Sequence, residues 1–156
     1  MTDDEDTRCT AAQHSSSFLD LIGPVAWLRD EGTGLLGARL RVDGRHVNSR
    51  GRLHGGVLST LVDVVLGHAA AETTDPQTAL TTASLNVDYL SGARAGQWLT
   101  ASASAAHVGT ALAFARGEVT ADGAPVAQAS AVFRVHPQPS GGPSQALVRR
   151  PTPPPA

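Results

Sequence analysis

An acidic residue, a pair of glycines and a loop asparagine lie within one short, mostly apolar stretch of this chain. The acid, Asp63, stands among Val and Leu residues, with no Lys or Arg three or four positions away to pair with it. Burying an unpaired carboxylate is costly, so a fold keeps one mainly where it has a chemical task. Asp63 is therefore predicted to act as a general base or as a nucleophile, and the sequence does not separate these roles. The alternative is a buried acid that only hydrogen-bonds to a neighbouring strand.

Gly55 and Gly56 begin the helix that carries the acid. The first turn of a helix has N–H groups without intrahelical partners, and the positive end of the helix dipole adds to their effect. Because Gly55 has no side chain, its N–H can approach a carbonyl oxygen and polarise it, as in an oxyanion hole. The alternative is that both glycines only permit close backbone packing.

The hydrophobic pattern predicts the elements that position these residues. A helix from about Gly55 to Glu72 is apolar on nearly all sides, which is typical of a buried helix. Two strands are predicted before it, within residues 25–31 and 36–42. Four more are predicted after it, at residues 82–90, 97–107, 111–121 and 124–135. A single apolar helix needs a sheet wrapped around it, so the predicted fold class is α+β with five to six antiparallel strands.

Local signals refine this picture. Ser17 is expected to cap a short helix that Gly23-Pro24 ends. Gly32-Thr33-Gly34 is expected to form a turn, and Asp122-Gly123 predicts a tight hairpin. In the strand at 82–90, strict alternation places Thr82 on a polar face, which it shares with Ser84, Asn86 and Asp88.

Composition narrows the class of protein. At 156 residues, with 41% hydrophobic residues and a net charge of -2, the chain is predicted to form one globular domain without affinity for nucleic acid or membranes. The domain is expected over residues 15–137, between a disordered acidic N-terminus (1–14) and a disordered Pro-rich tail (138–156). The lone Cys9 and the acidic start of the chain favour a cytoplasmic location. The scattered His residues lack ligand spacing, so no metal is expected.

The pattern Asn48-x5-His54-Gly55-Gly56-x6-Asp63, opening the one long helix of such a chain, resembles the hotdog-fold acyl-CoA thioesterases. The nearest branch is the phenylacetyl-CoA thioesterase and thioesterase superfamily member type. The resemblance runs from about Phe18 to Val135, and it includes the segments Leu85–Leu90 and Gly109–Phe114.

This resemblance implies roles for individual residues. Asp63 corresponds to the catalytic acid of the family, Gly55 to its helix-start glycine and Asn48 to its loop asparagine. Thr82 falls where a hydroxyl residue, often Ser, helps to position water, and His54 either contacts the thioester or holds the loop. Residues expected to bind substrate are Gly56, Arg94, Gly109 and Thr110. Arg50, Arg52 and Arg134 are further candidates for the CoA phosphates.

The spacing of the two main candidates predicts a shared site. Gly55 and Asp63 are eight residues apart, which is about 12 Å along a helix axis, so one thioester carbonyl cannot touch both on the same helix. Two antiparallel helices across a two-fold axis would bring Gly55 of one chain near Asp63 of the other. We therefore expect a homodimer with shared active sites, assembled further as a dimer of dimers.

The function expected from the resemblance is hydrolysis of an aryl- or medium-chain acyl-CoA to the free acid and CoA, without a cofactor. Two alternatives remain: a hotdog dehydratase, and a non-catalytic hotdog protein that binds acyl-CoA. The size of the acyl pocket is expected to depend on Leu66, Leu80, Trp98 and Phe114.

Overall fold

The computed structural model describes residues 16–30, 35–74 and 78–137, which form one antiparallel sheet and one long helix. A short helix and two strands come first, α1 (Ser17–Ile22), β1 (Val25–Arg29) and β2 (Leu36–Arg41). A 3-10 turn at Gly44–His46 leads to the long helix α2 (Gly55–Ala71). Four strands follow: β3 (Thr78–Tyr89), β4 (Trp98–Val108), β5 (Leu112–Ala121) and β6 (Ala124–Pro137).

The six strands form a single sheet in the order β1-β2-β4-β5-β6-β3, with every neighbouring pair antiparallel. The prediction of two strands, one long helix and four further strands is confirmed. The turn expected at 32–34 and the disordered ends expected at 1–14 and 138–156 lie outside the described residues. The predicted domain boundaries therefore stay predictions.

The core forms where α2 packs against one face of the sheet. Alternation in β2 places Leu36, Ala38 and Leu40 on that face, and all three are buried. The helix contributes a buried side of large aliphatic residues, listed as Leu58, Leu61, Val62, Val65 and Leu66. Each such side chain stabilises the fold by about 1.5–3 kcal/mol relative to an exposed one, so packing against the sheet holds α2 in place.

The opposite side of α2 remains partly exposed. Thr60, Asp63, Val64 and Gly67 recur at the three-to-four spacing of one helix face, and each is only half-buried. The expectation of a helix buried on all sides is therefore wrong for the single chain, because one sheet covers only one side of a helix. For the same reason Asp63 is partly exposed rather than enclosed in the core.

Two of the local signals, the Asp122-Gly123 hairpin and the end of α1 at Gly23, are confirmed, and the cap of α1 is corrected. Asp122 and Gly123 both have positive φ, 47° and 85°, which is the geometry of a tight hairpin turn. Gly23 ends α1 with φ of 102°. The cap of α1, however, is Ser16, whose hydroxyl accepts from the Leu19 N–H at 3.2 Å, and Ser17 is the first helical residue. The cap lies one residue earlier than predicted because either serine has the right chemistry.

A β-bulge at Ala83 changes which residues of β3 face the helix. Thr82 pairs with Phe133 of β6, whereas Ser84 pairs with Val132, so Ala83 is an extra residue without a partner of its own. Phe133 is buried against α2. Side chains alternate between the two faces of a strand. Because Ala83 is an extra residue, the even-numbered residues face the helix before the bulge and the odd-numbered residues face it after the bulge.

The bulge corrects the predicted orientation of Thr82. Its side chain lies on the helix-facing side of β3, together with Leu85, Val87 and Tyr89, whose partners in β6 are buried alanines. Ser84, Asn86 and Asp88 remain on the outer face. Strict alternation missed this because Ala83 is small enough to suit either face.

His46 braces the loop that precedes α2, and the sequence analysis did not single it out. It is buried, its Nδ1 accepts from the backbone N–H of Asp43 at 2.9 Å, and its Nε2 bonds to the carbonyl oxygen of Ile22 in α1. Since Nδ1 accepts, the ring proton is on Nε2. The His46 carbonyl in turn accepts from the N–H of His54 at 2.8 Å, so this ring joins α1 to the residue that starts α2.

Candidate active site

Asp63 is held by a hydroxyl from the sheet. Thr82 Oγ1 donates to Asp63 Oδ1 at 2.9 Å, so the hydroxyl residue expected from the resemblance does contact the acid. Among the described residues, no donor reaches the other carboxylate oxygen, Oδ2. The contact therefore orients the carboxylate while leaving one oxygen able to accept a proton or to attack a carbon.

The start of α2 leaves one backbone donor free. His54 is the N-cap, and its Nδ1 accepts from the Gly56 N–H at 3.0 Å. Within the part of the chain that the structure describes, the N–H of Gly55 meets no acceptor. Of the two glycines, Gly55 is thus the one with a donor available for an incoming carbonyl oxygen, at the positive end of the helix dipole. His54 holds the loop and the helix start, and its contact with a thioester stays a prediction.

Tyr89 and Ser59 surround Gly55 on its other side, and the sequence analysis missed both. The two hydroxyl oxygens lie 2.6 Å apart, and each is within hydrogen-bond distance of the Gly55 carbonyl oxygen, at 3.2 Å for Ser59 and 3.3 Å for Tyr89. A Cβ on Gly55 would lie 3.3 Å from Cε1 of the Tyr89 ring, so the ring packs directly on the glycine. Tyr89 faces the helix because it alternates in step with Leu85 and Val87 on β3.

Asn48 and two of the candidate arginines belong to loops near the start of α2. Asn48 Oδ1 accepts from the N–H groups of Arg50 and Arg52, at 2.9 and 3.3 Å, which is ordinary loop capping. The loop containing Arg52 is joined to the loop containing Arg94 by a bond from the Leu53 N–H to the Ala93 carbonyl, at 2.8 Å. Arg50, Arg52 and Arg94 are all exposed. The predicted role of Asn48 in catalysis stays a prediction.

The remaining candidates lie near the other end of the sheet. The β4–β5 hairpin contains Gly109 and Thr110, and the strand that follows it pairs with β6 so that Leu112 is opposite Arg134. Arg134 in turn is opposite Thr81, next to the residue that holds Asp63. The predicted site residues therefore form two groups, one around Gly55 and one around Asp63. A single chain does not bring these groups together.

A cleft of about 540 Å³ with both apolar and polar walls begins at Asp63 and Thr82 and continues along the partly exposed side of α2. The helix, β3, β6 and α1 all contribute to its walls. The apolar part is formed by Leu19, Val64, Gly67, Ala71, Leu80 and Phe133, and Ser16 and His68 are polar wall residues. A Cβ on Gly67 would lie 3.5 Å from Cε1 of the Phe133 ring, so the missing side chain leaves space beside that ring.

The structure corrects three of the four residues expected to set the pocket size. Leu80 lines the cleft, as predicted. Leu66 is instead buried in the core, and Phe114 is 38% exposed on the outer face of the sheet. Trp98 also lies on the outer face, where the guanidinium of Arg39 stacks over its ring at 4.7 Å. Apolar character alone does not show which face of a sheet a residue occupies.

His68 packs against the core from the end of α2 nearer its C-terminus. Its ring meets the buried ring of Trp27 edge-on, with centroids 4.7 Å apart. Elsewhere in residues 16–30, 35–74 and 78–137, no group of three His, Cys, Asp or Glu residues could hold a metal ion. Within the same ranges, no helix combines the length and apolar character needed to cross a bilayer.

An antiparallel sheet packed against one long helix, with an acid within that helix and a free glycine N–H at its start, defines the hotdog thioesterase class. The profile of the thioesterase superfamily matches residues 50–127 of this chain. The chain belongs to the thioesterase superfamily and is a thioester hydrolase, which disfavours the dehydratase alternative.

Individual relatives agree with this assignment. A Pseudomonas aeruginosa protein that is provisionally named an esterase is 39% identical over 121 residues, which cover 78% of this chain and 90% of that protein. The crystal structure of zebrafish thioesterase superfamily member 2 is similar with a TM-score of 0.68 and 26% identity, covering 78% of this chain and 88% of that one. A Bacillus halodurans protein solved with CoA is 28% identical, with a TM-score of 0.61, over 64% of this chain and 66% of that one.

Proposed function

We propose that this chain hydrolyses the thioester of an acyl-CoA with an uncharged, apolar acyl group, and releases the free acid and CoA. The observation that carries the proposal is the bond between Thr82 and Asp63 at one end of the cleft along α2. It provides a fixed carboxylate with one free oxygen beside a space suited to an acyl group.

Asp63 supplies the chemistry at the thioester carbon. As a general base, it takes a proton from water while the water oxygen attacks the carbonyl carbon. As a nucleophile, it forms a mixed anhydride that water then hydrolyses. In either case a carbonyl oxygen becomes an oxyanion, the carbon–sulfur bond breaks, and CoA leaves as a thiolate that takes up a proton. The N–H of Gly55 stabilises the oxyanion.

The complete site requires a second copy of the chain. Gly55 and Asp63 lie eight residues apart on α2, about 12 Å along its axis, which is too far for one carbonyl group. Two further observations support a dimer. The side of α2 that carries Asp63 is partly exposed, and β3 is a twelve-residue strand at the edge of the sheet with Asp88 as its only charged residue. Long edge strands with few charges are prone to pair with another chain.

In such a dimer each site combines the two groups of residues described above. The partner's start of α2 brings Gly55, Gly56, His54 and Asn48 to the Asp63 and Thr82 of the first chain. Arg52 and Arg94 lie beside that helix start on adjoining loops and are proposed to bind the CoA phosphates. Gly109 and Thr110 come from the chain that supplies Asp63. Assembly of two such dimers and the cytoplasmic location remain proposals.

The acyl group is proposed to lie in the cleft that starts at Asp63. Besides Ser16, His68 and Thr82, its remaining walls within the described residues are glycine, aliphatic or aromatic residues and carry no Arg or Lys, so an aryl or medium-chain group fits better than one with a second carboxylate.

The test is release of CoA, followed by thiol titration, from a panel of aryl- and straight-chain acyl-CoAs. Wild type is compared with Asp63→Asn, which keeps the size of the side chain and removes its charge. The expected result is turnover of at least one apolar acyl-CoA and a loss of about 10²- to 10⁴-fold in the variant. Asp88→Asn is the matched control, because Asp88 lies on the outer face of β3.

Equal turnover in wild type and Asp63→Asn would remove Asp63 from catalysis. If wild type released no CoA from any acyl-CoA but bound one tightly, the protein would instead be a binding protein, which is the alternative from the sequence.

A further inference from the structure

The carbonyl group of Gly55 lies within hydrogen-bond distance of two hydroxyls. Ser59 Oγ is 3.2 Å and Tyr89 Oη is 3.3 Å from the Gly55 oxygen, and the two hydroxyl oxygens are 2.6 Å from each other. Ser59 lies one turn further along α2, whereas Tyr89 is the last residue of β3. The cluster therefore joins the start of the helix to the edge strand.

Either of the two hydroxyls can donate to the Gly55 carbonyl oxygen, so one can replace the other. Each hydroxyl has a single proton, so two protons serve three contacts. If Ser59 donates to the Gly55 oxygen, Tyr89 donates to Ser59. If Tyr89 donates to the Gly55 oxygen, Ser59 donates to Tyr89. In both arrangements the carbonyl group of Gly55 receives one hydroxyl proton.

The start of α2 needs such restraint more than an ordinary helix does. Glycine is the residue with the widest backbone freedom, and here two glycines stand in succession at Gly55 and Gly56. On one side, the Gly56 N–H is bound by His54. On the other, the Tyr89 ring lies 3.3 Å from the point that a Cβ on Gly55 would occupy. The Gly55 carbonyl and the Gly56 N–H belong to one peptide group, so the hydroxyl cluster and His54 fix that group from both ends. With the ring beside Gly55, this limits how far the glycine and its free N–H can rotate.

We propose that Tyr89 and Ser59 are positioning residues for the Gly55 N–H, through their shared hydrogen bonds to the Gly55 carbonyl oxygen. The proposal rests on the proposed function, in which that N–H stabilises the oxyanion. A donor aimed at the transition state affects kcat, whereas the ground-state affinity for the thioester changes little.

The experiment compares Tyr89→Phe, Ser59→Ala and the double variant on one acyl-CoA that wild type hydrolyses. Tyr89→Phe keeps the ring on Gly55 and removes only the hydroxyl. Each single variant leaves one hydroxyl that can donate directly, so kcat is expected to fall by no more than about threefold. The double variant is expected to lose about tenfold or more in kcat with an unchanged KM, which exceeds the product of the single losses.

Two comparisons separate positioning from a merely structural role. Thr73→Ala is the matched control, because Thr73 Oγ1 donates to the carbonyl of Ala70 at the opposite end of the same helix, at 2.8 Å. Its kcat should match wild type. Restoring one hydroxyl, as Ser59→Thr in the Tyr89→Phe background, should recover most of the kcat lost in the double variant. Additive losses, a change confined to KM, or a lower kcat in the control would overturn the proposal.

A second readout does not depend on turnover. In protein labelled with ¹⁵N-glycine, the double variant should shift the Gly55 amide resonance, whereas that of Gly44, which lies on the 3-10 turn outside α2 and β3, should stay in place. An unchanged Gly55 resonance would overturn the positioning role even if the enzyme were active. A shifted resonance in a protein that hydrolysed no acyl-CoA would instead leave the positioning intact and remove the proposed function.

Discussion

Thr82 and Tyr89 are seven residues apart on β3, yet both side chains face α2. Thr82 donates to Asp63 at 2.9 Å, and Tyr89 lies 3.3 Å from the carbonyl oxygen of Gly55. In a regular strand, residues an odd number of positions apart point to opposite faces. Because Ala83 is an extra residue in a β-bulge, both side chains face the helix. One strand therefore contacts both Asp63 and the start of α2 at Gly55.

Removing the hydroxyl of Thr82 should impair catalysis without unfolding the protein. In Thr82→Val the carboxylate of Asp63 loses the hydroxyl that donates to it. The kcat is therefore expected to fall by about tenfold to a hundredfold. Thr82→Ser keeps the hydroxyl and should stay within a few-fold of wild type. Thr81→Val is the control, since Thr81 faces the other side of β3. Equal effects of the two valine substitutions on kcat would contradict the role of Thr82.

If the site is shared between two chains, two inactive variants should complement each other. A heterodimer of Asp63→Asn and Gly55→Val chains contains one site with both substitutions and one with neither. Co-expressed in equal amounts, the variants should therefore recover about a quarter of wild-type activity per chain, because half of the dimers are mixed. Each variant alone serves as the control. A co-expressed sample as inactive as its parents, with mixed dimers confirmed by mass spectrometry, would exclude the shared site.

Gly67 should control which acyl groups are accepted. Gly67→Ala is expected to raise the thermal midpoint, since alanine is favoured over glycine in a helix by about 1 kcal/mol, and the new methyl group makes ordinary contact with Phe133. Gly67→Leu should fill the cleft and lower kcat/KM for aryl- and medium-chain acyl-CoAs more than for acetyl-CoA. Gly44→Leu is the control, because an added Cβ there meets nothing within 4 Å. Equal losses on all chain lengths would place the acyl group elsewhere.

Acidification should destabilise the sheet through Asp122. The Trp98 N–H donates to this carboxylate at 3.0 Å, and with the Gln97 amide it lowers the pKa of Asp122 below its usual 3.8. A carboxyl group with a lowered folded-state pKa stabilises the fold above the unfolded pKa, and that contribution disappears as pH falls through the folded value. The thermal midpoint should therefore decrease below about pH 4, and less so in Asp122→Asn. Identical pH profiles of the two proteins would contradict this linkage.

The sequence alone identified the elements that depend on local pattern. The apolar run from Gly55, the alternation in β2 and the Asp122-Gly123 turn each have a short-range physical signature, and the structure has each of them where it was predicted. Asp63 stood out for the same reason, as an unpaired charge among aliphatic residues. The resemblance added Thr82, whose hydroxyl donates to Asp63 in the structure, and its role in positioning water stays a prediction.

The features that only the tertiary structure showed are those that depend on which strands pair and on which face each residue lies. Alternation assigned Thr82 to the wrong side, because a bulge is defined by the partner strand and Ala83 suits either face. The hydroxyl cluster of Ser59, Tyr89 and Gly55 joins residues thirty or more positions apart, which no local pattern reveals. The sequence also did not show that one side of α2 is partly exposed in a single chain. The same apolar helix can be covered by its own sheet or by a second chain.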